Sequence, residues 1–163
     1  MEKDITIRRF IAGDLPAMLA IWNEIVAGGI AFPQEELLTE KNADAFFSSQ
    51  SYTGVAVCTG AVLGLYILHS NNVGRCGHIC NASYAVSSLE RGMHIGEKLV
   101  RDCMRQAAVL GFRILQFNAV VATNIHARHL YGRIGFKQLG TIPGGFRMPD
   151  NSYADICPYY IEL

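Results

Sequence analysis

Residues 84–100 read YAVSSLERGMHIGEKLV. The stretch carries a β-like run, ending near Val86, through a short polar loop into a helical run. From about residue 93 the apolar positions Ile95, Leu99, Cys103 and Leu110 share one face of a helix reaching about residue 110, where Gly111 is placed to end it. Glycines stand at 92 and 96, the second inside the first turn, although glycine in a helix costs about 1 kcal/mol relative to alanine. A strand, a loop and a helix start suit an anion. The first N–H groups of a helix lack internal partners and carry partial positive charge. Phosphate fits such a place, glycine lets the backbone approach it closely, and Arg91 adds a two-donor cation. The expectation is a cradle for a pyrophosphate.

Two nucleotide motifs are excluded by spacing. The P-loop needs G-x-x-x-x-G-K-[ST]; here Gly92 and Gly96 are one residue too close, and Glu97-Lys98-Leu99 lacks the metal-binding hydroxyl. The G-x-G-x-x-G dinucleotide fingerprint is absent from the stretch.

Upstream, ITIRRF (5–10) alternates as a first strand, and GDLPAMLAIWNEIV (13–26) carries Leu15, Met18, Leu19, Trp22, Ile25 and Val26 on one helical stripe. Asp14 is placed to cap that helix and Pro16 suits its first turn. Gly28, Gly29 and Pro33 break it, and EKNADAFFSSQ (40–50) reads as a short helix. TGVAVC (53–58) and AVLGLYILH (61–69) form a hairpin over Thr59-Gly60, and HICNASYAV (78–86) reads as a buried strand. Downstream, RILQFNAVV (113–121) is a strand. TNIHARHLYGRIGF (123–136) is a helix capped by Thr123 or Asn124, with Ala127, Leu130, Tyr131 and Ile134 on one stripe and Gly135 ending it. FKQLGTIPGGF (136–146) and YADICPYYIEL (153–163) give two more strands. The sum is a single mixed α/β sheet covered by helices.

Composition narrows the function classes. Half of the 163 residues are hydrophobic and 17% charged, which excludes a disordered chain. Fourteen basic residues balance fourteen acidic ones, so no global field draws in nucleic acid or an anionic membrane; Arg91, Lys98, Arg101 and Arg105 offer only a local basic patch. The N-terminus MEKDITIRRF lacks an apolar leader, and no run is long enough for a membrane span, so the expectation is a cytoplasmic protein without signal peptide. The five cysteines, Cys58, Cys76, Cys80, Cys103 and Cys157, mostly sit in apolar runs and read as reduced core thiols. RCGHIC (75–80) would put Cys76, His78 and Cys80 on one strand face, but no fourth ligand stands at convincing spacing, and no metal is expected. His126 and His129, three apart on a helix, read as a solvated face.

YAVSSLERGMHIGEKLV and NIHARHLYGRIGF together resemble the GNAT superfamily of acyl-CoA-dependent N-acetyltransferases. Of the phosphate-loop pattern Arg/Gln-x-x-Gly-x-Gly/Ala, Arg91 and Gly96 match the ends, while His94 occupies the middle glycine position. The later pattern Asn-x-x-Ala-x-x-Leu-Tyr-x-x-x-Gly-Phe is matched throughout by Asn124, Ala127, Leu130, Tyr131, Gly135 and Phe136. The resemblance is strongest over about residues 78–137. It implies one domain over residues 1–163, with a mostly antiparallel twisted sheet of about seven strands, splayed between the fourth and fifth and flanked by helices. It also implies acetyl-CoA as co-substrate. Pantetheine would pair with the strand ending at Val86, and pyrophosphate would meet the backbone of Arg91, Gly92, Met93, His94, Ile95, Gly96 and Glu97. Asn124 would contact the pantetheine arm or order a nearby water, and Tyr131 would be the acid that protonates the leaving thiolate. A homodimer is compatible with the family.

The acceptor is then a primary or secondary amine of a small molecule, attacking the thioester directly in a ternary complex. Asn81 and Asn118 sit in strand interiors, where asparagine is depleted and a buried amide needs partners. Either each bonds neighbouring backbone, or their N–H groups converge on an acceptor carboxylate. The second option implies an amino-acid-like acceptor, a substrate class the resemblance also points to. Glu36, with Glu24 and Glu35, lies where the family builds part of the acceptor site; no base is singled out. Two alternatives stay open: a non-catalytic acyl-CoA-binding sensor module, and a protein N-terminal or lysine acetyltransferase.

Overall fold

A computed structural model describes residues 4–90 and 92–163. The strands are β1 (Thr6–Arg9), β2 (Tyr52–Cys58), β3 (Ala61–Ser70), β4 (Ile79–Val86), β5 (Ile114–Val121), β6 (Lys137–Gln138), β7 (Ile142–Arg147) and β8 (Tyr153–Glu162). The helices are α1 (Leu15–Gly28), α2 (Ala43–Ser48), α3 (Ile95–Val109) and α4 (Ile125–Ile134). One sheet runs β1-β2-β3-β4-β5-β8-β6, with β7 also on β8. It has eight strands among the described residues rather than about seven, because 136–146 divides into β6 and β7. The ladder breaks opposite Pro158, which has no N–H to offer; pairing stops at Gln138↔Tyr159 and resumes at Ile142↔Ile156.

All pairs are antiparallel except β4–β5, which is parallel and holds over only Ile79↔Ile114 and Cys80↔Leu115. β4 stays paired to β3 as far as Val86, and β5 to β8 as far as Val121. Beyond Cys80 and Leu115 the two halves of the sheet are therefore unpaired along the β4–β5 line, the splay expected from the sequence.

Two apolar clusters flank the sheet. Met18, Trp22, Phe47, Val55, Leu65 and Ile67 pack under α1 and α2. Leu99, Cys103, Tyr66, Leu115, Phe117 and Phe136 pack on the α3 and α4 side. The Thr59-Gly60 hairpin forms, both residues taking positive φ (47° and 84°), as a two-residue turn matched to strand twist requires.

Three local expectations are corrected, and one left open is decided. Leu110 does not join the buried face of α3; it sits at the C-cap, 46% exposed, because the helix has already ended at Val109. Asp14 does not cap α1. Its own backbone is helical, and its carboxylate instead takes two hydrogen bonds from Arg8 (2.7 and 3.0 Å) and one from the Ile11 N–H (2.9 Å). Cys76, His78 and Cys80 do not share a strand face: Cys76 lies exposed in a 3-10 turn, Gly74–Cys76, before β4 begins. The α4 cap, left open between Thr123 and Asn124, is Asn124, whose Oδ1 accepts the Ala127 N–H at 3.3 Å.

Candidate active site

The gap between β4 and β5 opens into two communicating cavities. The inner one, about 300 Å³, is walled by Asn81, Ser83 and Tyr84 of β4, Phe117 and Asn118 of β5, and Asn124 and Tyr131 from the α4 side, with Phe32 and Pro33 at its mouth. The outer one, about 810 Å³, runs between the α3 start and the exposed side of α4; Val86, Gly92, Met93, His94, Ile95, Gly96 and Glu97 line it against Asn124, His126, His129 and Arg133. Gly96, Asn124 and Leu130 line both. The residues expected around the coenzyme thus share one groove, except Arg91, which lies outside the described residues.

The groove is bordered by a helix start with no side-chain cap among the described residues. Its N-cap is His94, in the left-handed region at φ 53°, two residues after Gly92 at φ 82°. A non-glycine residue in that region costs about 1–2 kcal/mol, so the loop holds a strained shape at the position where glycine would be unstrained. Gly96 is not demanded by packing. An added Cβ there would meet only a Leu130 methyl, at 3.7 Å; its effect would be to fill the wall shared by both cavities. Glu97 adds no free negative charge: Arg133 and Arg101 hold its carboxylate at 2.8 Å each and keep it ionised below the usual carboxylate range. Within the sequence-predicted basic patch, Arg101 is therefore engaged, and Arg105 is paired with Asp102.

Asn124 has a divided side chain. Its oxygen caps α4, and its amide nitrogen makes no bond to a described residue where both cavities meet. Tyr131 comes from the last turns of the same helix. Its ring packs on Phe117 (4.5 Å between centroids), Phe136 (5.4 Å) and Tyr159 (5.9 Å), and its hydroxyl bonds no described residue. Burial, then the nearby Cys103 and Tyr159, raises the Tyr131 pKa, so the phenol stays protonated. The same burial raises thiols in this core: Cys80 is pushed up to about 12. Burial of a thiol and a phenol together does not by itself widen the gap between them.

Two residues were not singled out by the sequence. Ser83 presents its side chain on the same sheet face as Asn81 and lines the inner cavity. Tyr84 lies beneath it, edge-on to Phe117 at 5.8 Å; its buried hydroxyl has no hydrogen-bond partner among the described residues, and burial and the Cys103 thiol raise its pKa. The alternation of NASYAV was the available signal.

Asn81 and Asn118 do line the same inner cavity. Their amides are partly engaged. Asn81 Oδ1 accepts the Ala82 N–H (2.8 Å), leaving its nitrogen without a described partner. Asn118 is exposed rather than buried, and exchanges hydrogen bonds with Asn71 (2.7 and 3.2 Å). Glu36 is exposed and lines neither cavity. Its neighbour Glu35 lines an adjoining groove of about 660 Å³, which meets the inner cavity at Phe32 and Pro33, and is ion-paired there with Arg147. Glu24 accepts the Ser88 N–H at 3.4 Å, beyond the end of β4. Among the described residues, no Asp, Glu, His, Lys or Arg lines the inner cavity, no group of side chains is arranged to hold a metal, and no helix is long and apolar enough to cross a membrane.

The same fold occurs in known proteins. A GCN5-related N-acetyltransferase from Kribbella flavida superposes with a TM-score of 0.90 at 34% identity, covering 98% of this chain and 98% of that one. A GNAT superfamily phosphinothricin acetyltransferase from Sinorhizobium meliloti, determined in complex with acetyl-CoA, gives 0.89 at 22% identity over 100% and 89% of the two chains. N-acetyltransferase aca1 of Schizosaccharomyces pombe is 35% identical over 100 residues, 61% of this chain; the match spans about half of that relative's length (48%). The pattern of the acetyltransferase (GNAT) family matches residues 17–136, across the α1 side, both cavities and the whole of α4, and the chain belongs to that family.

Proposed function

We propose that the protein is an acetyl-CoA-dependent N-acetyltransferase whose acceptor is a small, amino-acid-like amine. The observation that carries the reading is the meeting of the two cavities at Asn124, beside the unpaired stretch of sheet, with Tyr131 on the inner wall. The fit to the coenzyme is supported by the uncapped α3 start and by the unpaired edge of β4 beyond Cys80. When bound, acetyl-CoA supplies the activated thioester. The backbone of residues 92–97, with Arg91, holds the pyrophosphate, the β4 edge near Val86 aligns the pantetheine, and the Asn124 amide nitrogen steadies that arm or a water beside it. A backbone N–H near Val86 stabilises the developing oxyanion. The Tyr131 hydroxyl gives its proton to the departing sulfur.

The neutral lining of the inner cavity bears on the amine. An ammonium would enter without a compensating carboxylate, so the acceptor reacts as the free amine and sheds its proton through water. Asn81 and Asn118 then offer neutral N–H donors to an acceptor carboxylate, Asn118 by sharing its hydrogen bonds with Asn71. The five unpaired cysteines, four of them buried, support a reducing, cytoplasmic setting.

Thiol release from acetyl-CoA, measured against a panel of amines, amino acids and peptides, tests the reading. Turnover with amino acids that fails with their carboxamides, and whose KM rises in Asn118→Ala, is the expected result. Binding of acetyl-CoA without turnover of any amine returns the protein to the sensor class, and turnover confined to peptides returns it to the protein acetyltransferases.

A further inference from the structure

The exposed side of α4 is not an ordinary solvated face. His126, His129 and Arg133 fall at i, i+3 and i+7, one stripe of the helix, and all three line the outer cavity. His94 lines it from the facing wall, at the α3 start. The Arg133–Glu97 ion pair (2.8 Å) ties the two walls together. The starts of both α3 and α4 border the groove and bring partial positive charge to it. The remaining charged groups there are Glu90, from the 3-10 turn after β4, and Glu97, with Arg101 on the far side of Glu97. Among the described residues, Glu97 is already matched by Arg133 and Arg101, so protons on the histidines would add positive charge to the groove.

A groove that must accept phosphates gains most from those protons when the anion is present. Imidazole is the side chain that changes charge between pH 5 and 8. We infer that His126 and His129 bind the phosphate groups of the acyl-CoA as imidazolium, with His94 opposite, so that coenzyme binding takes up protons and strengthens as pH falls. This rests on the coenzyme reading above and adds a dependence on pH that the loop backbone and arginines cannot supply, because they do not titrate near neutrality.

The test is titration calorimetry of acetyl-CoA into wild type and the double variant His126→Gln/His129→Gln. It is run at pH 6, 7 and 8, in buffers of different ionisation enthalpy so that proton uptake is counted. Both histidines are exposed, so the variant keeps its fold. The coenzyme's own phosphomonoester titrates near pH 6 in both proteins, so the reading is the difference between them. Wild type is expected to take up about one proton per coenzyme more than the variant near pH 7 and, relative to it, to bind about tenfold tighter at pH 6 than at pH 8. Equal proton uptake and equal pH slopes overturn the inference while leaving the coenzyme reading intact. An absence of saturable binding at every pH removes both. A parallel titration with 3′-dephospho-acetyl-CoA assigns the supporting result: a difference that persists belongs to the pyrophosphate, and one that disappears belongs to the 3′-phosphate.

Discussion

The two helices that border the gap begin in opposite ways. α4 starts with a satisfied cap, Asn124 Oδ1 on the Ala127 N–H. α3 starts with none, behind a loop that puts His94 at positive φ. A capped start is complete within its own chain. An uncapped, strained start leaves its N–H groups for something else, at a cost to the free protein. In the proposed mechanism α4 contributes side chains, Asn124 and Tyr131, and α3 contributes backbone. α1 makes a third case: its Asp14 is turned away into the Arg8 pair, and that start lines neither cavity.

The largest expected effect falls on the side-chain helix. Tyr131→Phe should lower kcat by about 10²–10⁴-fold while acetyl-CoA affinity changes little, measured by steady-state kinetics and calorimetry. A Phe variant with wild-type kcat across the pH range would make Tyr131 a packing residue and reduce α4 to a wall.

The division within Asn124 can be tested with two variants. Asn124→Ala removes cap and amide together, and should cost about 1 kcal/mol of stability as well as activity. Asn124→Asp keeps an oxygen cap, loses the donor and adds a negative charge. Its urea midpoint should stay near wild type while kcat/KM falls about as far as in the Ala variant. An Asp variant with full activity would show that capping is the residue's whole contribution.

Asp14→Asn probes the helix start that serves neither cavity. The Arg8 hydrogen bonds lower the Asp14 pKa, so the folded state holds the carboxylate more strongly ionised than the unfolded chain does. That stability is present above the unfolded aspartate value of about 3.9 and is lost as pH falls through the lower folded value. The variant should be about 1–2 kcal/mol less stable than wild type at pH 7, Arg8 being partly screened by solvent, with the difference closing toward pH 2. Acetyl-CoA affinity should not change.

The smallest effect is expected at His94→Gly. Relief of the left-handed backbone is offset by the greater freedom of glycine in the unfolded chain, so stability should rise by no more than about 1 kcal/mol. Thermal unfolding measures it. A loss of stability would mean that the His94 side chain contributes contacts outweighing its backbone strain.

Much of this was legible in the chain because it is local. The hairpin over Thr59-Gly60, the α4 motif from Asn124 to Phe136 and the glycines around the α3 start each declare themselves within a few residues. What was not legible depends on distant partners. Asp14 looks like a helix cap until Arg8 is brought beside it, and 136–146 looks like one strand until Pro158 lies opposite. Asn118 looks buried until Asn71 meets it at the surface. His126 and His129 are solvated, as read, but that they also line a groove depends on a second wall about 30 residues earlier, at His94. Nearby carboxylates were read as contributors to the acceptor site, yet among the described residues the polar side chains lining the inner cavity are amides and hydroxyls.

The two-position seam between β4 and β5 has a mechanical consequence. The six residues from Asn81 to Val86 extend beyond it unpaired on that edge, a lever of about 20 Å at the rise of an extended strand. Turning the two half-sheets by about 5° about the seam would move the far end of the gap by roughly 2 Å. No backbone ladder would need to break, because β4 and β5 are not paired beyond Cys80 and Leu115; the Asn71–Asn118 side-chain pair spans the line and would have to follow the motion. The gap's width is thereby decoupled from the integrity of the sheet. A ligand in the gap would lie between two half-sheets joined at a short pivot, and closure upon it would load the packing of α3 and α4 more than the strands.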